Sequence, residues 1–160
     1  MISIGTTFNK RIFEARGRNQ KTNSFIDMQQ KYPNYKFYAY HENSFEQDKY
    51  NESIDFSQYD LERDNLFLFD LFEENSDWLV EFLQTSPLKD CHLIKDQGWR
   101  GHKDNLYWNR NAIYWFRKIA AIKHCIEQID TKYLLWLDTD TEIAKNFDDK
   151  FYNYIDQFDC

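Results

Sequence analysis

Glycine and proline are scarce in this chain, four and two residues respectively in 160. That scarcity argues against collagen-like and loop-dominated sequences, which need both in quantity. It also leaves no Gly-x-Gly-x-x-Gly and no Gly-Lys-Ser/Thr segment, so dinucleotide-binding and P-loop readings lack their fingerprints. Cysteine is limited to Cys91, Cys125 and Cys160, an odd count with no Cys-x-x-Cys pair. A disulfide framework and a structural zinc site are therefore disfavoured, and the plain expectation is reduced thiols in a reducing compartment. No apolar run reaches membrane-spanning length, and Met1 leads straight into Ile2-Ser3-Ile4 rather than through a charged leader. The expectation is a soluble, cytoplasmic protein without a transmembrane segment. Positive charge is also in deficit. The formal net charge of -7 repels nucleic-acid phosphates, so nucleic acid is not an expected partner.

What the chain has in abundance is aromatic residues. They make up 19% of the sequence, enough ring area to build a core and to argue against disorder. The length fits a single domain over residues 1–160.

Hydrophobic patterning predicts an α/β fold with a mostly parallel central sheet. Met1 to Phe8 reads as a first strand followed by a turn at Asn9. Lys10 to Lys31 reads as helix, interrupted near Gly17 and closed by Pro33. Tyr35 to Tyr40 reads as a second strand, parallel to the first because the crossover is long. Asn43 to Asp60 is polar and reads as a loop. Leu61 to Thr85 is dense in Leu and Phe and predicts two helices, ended by Pro87. Asp90 to Trp108 looks irregular, with Leu93-Ile94 a candidate short strand. Asn109 to Ile129 predicts a long helix, and Tyr133 to Leu137 a strand buried on both faces. Thr141 to Cys160 adds a final amphipathic turn or two.

The chemistry concentrates where that last apolar run stops, at Asp138-Thr139-Asp140. Open α/β sheets bind ligands outside the carboxyl ends of their strands. Two carboxylates there suit a divalent cation that keeps its remaining positions for phosphate and water. The competing reading is two solvated aspartates in a turn. A phosphatase of the haloacid-dehalogenase type also uses Asp-x-Asp after an apolar strand. Its fifth position is a hydroxyl or small residue where this chain has Glu142, and its machinery lies downstream of a strand that here comes near the end.

At 100° per residue, Arg110, Arg117, His124 and Gln128 share one face of the long helix and are expected in solvent. Phe116, Ile119, Ala120 and Ile126 lie opposite and are expected in the core. Lys118 falls near Trp115, Ile122, Cys125 and Ile129, at the edge of the apolar sector. It needs either an anion or a route to water, and spacing alone leaves both open. Residues 95–103 form a basic, glycine-bearing segment with Arg100 as a fork-shaped donor. A solvated connection is the simpler reading of it, and His92 and His102 read as ordinary loop residues.

Several segments, in order, resemble the nucleotide-sugar glycosyltransferases of the GT-A fold. Thr6-Thr7-Phe8-Asn9 is similar to their opening nucleotide-binding strand end. Tyr114 to Ile122, with Lys118, resembles their aromatic-x-x-Lys helix. Leu135-Trp136-Leu137-Asp138-Thr139-Asp140 resembles their Trp-Leu-Asp-x-Asp segment. Asn146-Phe147-Asp148-Asp149-Lys150-Phe151 resembles the Asn-x-Asp-x-x-Phe of glycogenin-like members. The resemblance implies transfer of a sugar from a nucleoside-diphosphate sugar to a hydroxyl of a glycan, lipid or protein acceptor. It implies Mn²⁺ or Mg²⁺ held by Asp138 and Asp140, with Asp140 the direct ligand and Asp138 also near the ribose. It further implies nucleotide contacts from Thr6, Thr7 and Phe8 and a phosphate contact from Lys118. In that family acceptor-binding elements normally follow the point where this chain stops. The expectation is thus a donor-binding part, with a non-catalytic nucleotide-sugar-binding or partner protein as the alternative.

Overall fold

The computed structural model describes residues 2–15, 24–43, 53–59, 61, 64–85, 112–139, 141 and 143–158. Strand β1 (Ile2–Phe8) is followed by helices α1 (Lys10–Ala15) and α2 (Ser24–Lys31), then by β2 (Lys36–His41). A single 3₁₀ turn at Phe56–Gln58 precedes β3 (Leu66–Asp70). Helices α3 (Leu71–Glu74), α4 (Ser76–Thr85) and α5 (Ala112–Gln128) lead to β4 (Tyr133–Trp136), and α6 (Asp149–Ile155) closes the described chain.

The four strands form one parallel sheet in the order β3-β2-β1-β4. The chain steps from β1 to β2 to β3 in one direction and then returns across β1 to place β4 on its other side. Parallel crossovers are right-handed, so reversing the direction of travel places the connecting helices on the opposite face. The residues obey this. Phe13 of α1, Met28 of α2 and Tyr32 just past α2 pack under Ile2, Ile4, Phe8, Phe37 and Ala39. Ala121 and Cys125 of α5 pack with Tyr38, Tyr40 and Leu71 on the other face. Side chains alternate along each strand, so β2 supplies both cores while β1 gives Ile2, Ile4 and Phe8 to the first, and both strands are buried along nearly their whole length. Each fully buried Phe, Leu or Ile contributes about 1.5–3 kcal/mol.

Two expectations are corrected. Leu66 to Asp70 is a strand, not part of a helix. Leu66 and Leu68 reach one core and Phe67 and Phe69 the other. Phe67 and Phe69 stack on Tyr38 and Tyr40 at ring distances of 4.8 and 5.2 Å. A short run apolar at every position fits either period, and partners on both faces decide it. The β4 segment, expected to be buried on both faces, is half-buried throughout, because it forms an edge of the sheet among the described residues.

Hydrogen bonds tether the segment after β4 to the first core. Tyr32 Oη donates to the Ile143 carbonyl at 2.7 Å, and the Phe147 amide donates to Tyr35 Oη at 2.8 Å. Asp148 then caps α6 by accepting from the Phe151 amide at 3.0 Å. Leu135, Leu137, Ile143, Phe147 and Phe151 line a cavity of about 460 Å³ between β4 and this segment.

On the α5 face, the ring of Trp136 closes over Gly5. A Cβ added at Gly5 would stand 2.6 Å from the indole ring, so only glycine fits. Gly5→Ala is expected to destabilise the fold by about 1–3 kcal/mol through overpacking, read from urea denaturation. Combining it with Trp136→Leu, which vacates the contact, should cost less than the sum of the two single changes.

Candidate functional site

The strand order reverses between β1 and β4, and in open α/β sheets the crevice at such a point is where ligands sit. Pairing carries on past β4, with the Leu137 amide donating to the Gly5 carbonyl at 2.9 Å. The chain then folds over the end of β1. The Thr141 amide donates to the Asp138 carbonyl at 2.8 Å and closes a turn. Thr139 points inward, 6% exposed, donating to the Thr7 carbonyl at 3.0 Å with its hydroxyl 3.4 Å from that of Thr6. The middle residue of Asp138-Thr139-Asp140 is therefore the anchor of the turn, and Asp138 stays on the rim with its side chain 67% exposed.

Helix α5 runs from the carboxyl edge of the sheet towards its amino edge. Its second turn carries Arg117 and Lys118 to the carboxyl ends of β2 and β4, and Asp130 beyond its end pairs with Lys36 at the start of β2. Lys118 Nζ forms an ion pair and hydrogen bond with Asp138 Oδ1. Two residues twenty positions apart, expected to share a site, thus meet at the crevice. Thr7 shares the face of Gly5, and its buried hydroxyl has no hydrogen-bond partner among the described residues. The indole N–H of Trp136, which covers that face, is in the same condition. Buried polar atoms are nearly always partnered, so each of these two is a candidate for a further contact. Thr6 and Phe8 are turned inward. Thr6 is engaged with Thr139, and Phe8 packs on Phe13 at 4.9 Å. What they present at the crevice is main chain.

The long helix is oriented otherwise than its periodicity implies. Arg117, expected in solvent, is 2% exposed. It pairs with Glu42 at 3.3 Å, and its guanidinium lies 5.2 Å from the centre of the Phe72 ring. His124, also expected in solvent, shares a 2.9 Å hydrogen bond with Tyr40 Oη and is 3.4 Å from Glu74. Ile119 and Ile126, expected in the core, are 53% and 57% exposed, whereas Ala120 is buried as expected. The sheet surface beneath α5 is crowded with Tyr and Phe rings, so small residues and flat or polar side chains fit there better than isoleucine. Gln128 is exposed as expected.

A second polar layer lies at the ends of β2 and β3. Asp70 caps α3, its Oδ1 accepting from the Phe72 amide at 3.0 Å, while Oδ2 stands 3.4 Å from His41 Nδ1. Two influences oppose at His41. Burial favours the neutral ring and Asp70 favours the charged one, and burial is the larger, so the pKa is lowered. The Asn43 amide donates to that same Nδ1 at 3.4 Å, which also requires a neutral ring. Asn43 clamps the following loop by exchanging two bonds with Ile54, of 2.9 and 3.1 Å. Patterning missed His41, Asp70, Glu42 and Thr139. Their available signal was position, each lying at or just past the carboxyl end of a strand. Cys125 is buried, and burial pushes its thiol to about 11, so it packs as a small apolar residue.

A phosphate-bridging cation needs one or two carboxylates, with phosphate and water completing its oxygen shell. Exposed Asp138 suits that donor role, and no group of three or more metal-ligating side chains occurs among the described residues. Asp140 and Glu142, the candidate strand Leu93-Ile94, Arg100, Arg110, His92, His102 and the 95–103 segment lie outside the described residues. No described helix is long and apolar enough to cross a membrane. No known protein family, curated protein or solved structure matches the chain.

Replacing buried Arg117 with Met removes an ionic partner of Glu42 in a poorly solvated place, and is expected to cost about 3–5 kcal/mol in chemical denaturation. Adding Glu42→Gln should recover part of that loss. Below pH 6.5, the usual histidine value, an unfolded chain protonates His41 while the folded chain resists. Folding stability should therefore fall as pH drops below about 6.5. His41→Gln should flatten that slope in denaturation curves taken between about pH 5 and 7.

Proposed function

We propose that this chain binds a nucleoside-diphosphate sugar at the crevice between β1 and β4 and transfers the sugar to an acceptor hydroxyl, in the manner of GT-A glycosyltransferases. The observation that carries this reading is the convergence of Lys118 and Asp138 at a topological switch point, with Thr7 at the end of β1 holding a buried hydroxyl that has no partner among the described residues. Lys118 would contact the diphosphate, Thr7 and the main chain of Thr6 and Phe8 the nucleoside, and Asp138 the ribose or a divalent cation. Asp140 would be the direct ligand of Mn²⁺ or Mg²⁺. The cation would supply positive charge to the phosphate oxygens.

Charge is the physical reason these groups suit the reaction. As the bond between the sugar's anomeric carbon and the phosphate oxygen breaks, negative charge grows on the departing nucleoside diphosphate. The acceptor oxygen bonds to that carbon and gives up its proton. An ammonium group already at the crevice is worth more to the transition state than to the substrate, because the charge it meets is larger there. The acceptor is a hydroxyl on a glycan, lipid or protein.

Titration calorimetry with UDP and GDP, with and without Mn²⁺, tests the donor site. Wild type is expected to bind one of them in a metal-dependent way, and Asp140→Ala to lose at least about tenfold in affinity, as expected for a metal ligand. Absence of nucleotide binding under every condition refutes the proposal. Nucleotide binding with neither sugar transfer nor donor hydrolysis would instead identify a non-catalytic nucleotide-sugar-binding protein.

A further inference from the structure

The ion pair at the crevice carries a consequence for the order in which ligands bind. We infer that Lys118 and Asp138 form an ionic latch that a divalent cation and a diphosphate open together and that neither opens well alone. This inference rests on the donor-site reading above and adds to it a coupling between the two ligands. Lys118 is 31% and Asp138 67% exposed, so the pair sits on the rim, where ion pairs are weak and opening is easy. The difficulty lies in what opening leaves behind. A cation that takes the Asp138 carboxylate leaves the Lys118 ammonium facing it with like charge. A diphosphate that takes Lys118 leaves the Asp138 carboxylate facing the phosphates, again with like charge. When both arrive, the charges alternate from carboxylate to cation to phosphate to ammonium, and every neighbour is attractive.

Among the described residues, the neighbouring cations on α5 are already engaged. Arg117, one residue away, is buried and committed to Glu42. Lys123 is paired with Glu127 on its own helix. The backbone of Asp138 is tied into the turn by the Thr141 amide, and Thr139 anchors that turn to β1. The carboxylate can therefore change partner while its main chain stays fixed. Lys118 needs only a rotamer change along its flexible stem.

Calorimetry on wild type, Lys118→Met and Asp138→Asn distinguishes this from a simple donor site. In wild type, Mn²⁺ alone and UDP or GDP alone should bind weakly, and each should tighten the other at least about tenfold, within the usual range of coupling between sites. Lys118→Met should bind Mn²⁺ alone about 1.5- to 5-fold more tightly than wild type, the worth of an exposed pair. In the same variant the nucleotide's help to the cation should shrink. Asp138→Asn should bind the nucleotide alone more tightly than wild type while binding Mn²⁺ less well. Both variants are thus expected to gain an affinity, which a misfolded protein would not do. Unchanged or weaker Mn²⁺ binding by Lys118→Met, with metal-dependent nucleotide binding intact, overturns the latch and leaves the donor site standing. Tight Mn²⁺ binding by wild type without nucleotide overturns it too. No nucleotide binding under any condition removes both.

Discussion

Each amide and carbonyl of β1 needs a hydrogen-bond partner, because the strand is buried nearly end to end and water cannot serve it. β2 satisfies one edge and β4 the other. Since β2 and β3 are consecutive on the first side, only a long return across the sheet can serve the second. In open α/β sheets such a reversal parts the helices that cover opposite faces at the carboxyl ends of the two strands, here β1 and β4. The proposed place for a ligand thus follows from hydrogen-bond demand on one strand, before any particular side chain is considered.

Helix α5 serves two different surfaces. Towards the amino edge it offers Ala121 and Cys125 to the rings of β2 and β3, and the contact is close and apolar. Towards the carboxyl edge it offers Arg117 and Lys118, while His124 lies between Ala121 and Cys125 along the helix. Arg117, Lys118 and His124 meet Glu42, Asp138 and Tyr40 respectively. Burying a charge is tolerable only with a partner in place, so the Arg117–Glu42 contact also sets how far the helix can slide or turn. That in turn fixes where the ammonium of Lys118 emerges.

Much of this architecture was legible. β1, β2, the long helix and β4 fall within one to three residues of their patterned positions, because apolar runs bounded by polar turns leave little choice. The resemblance to glycosyltransferases put Lys118 and Asp138 at one site, but spacing alone left Lys118 open, and the ion pair between them was not anticipated. Nor was the facing of α5. Periodicity assumes that polar residues seek water, and Arg117 and His124 seek partners at the end of a sheet instead. β3 was missed because Leu66 to Asp70 carries no alternation, both its faces being apolar. Thr139 was overlooked for a related reason: attention goes to the carboxylates, while the residue between them makes the buried contacts.

The contact between Gly5 and Trp136 reaches beyond stability. The glycine and the indole belong to strands separated by most of the chain, yet neither can change freely while the other stays. Any descendant sequence that acquires a side chain at position 5 must surrender the large ring at position 136, and with it the cover over Tyr40. The two positions are therefore expected to drift as one unit of inheritance, a paired signature by which distant kin of this chain could be told from sequences that merely share its aspartates.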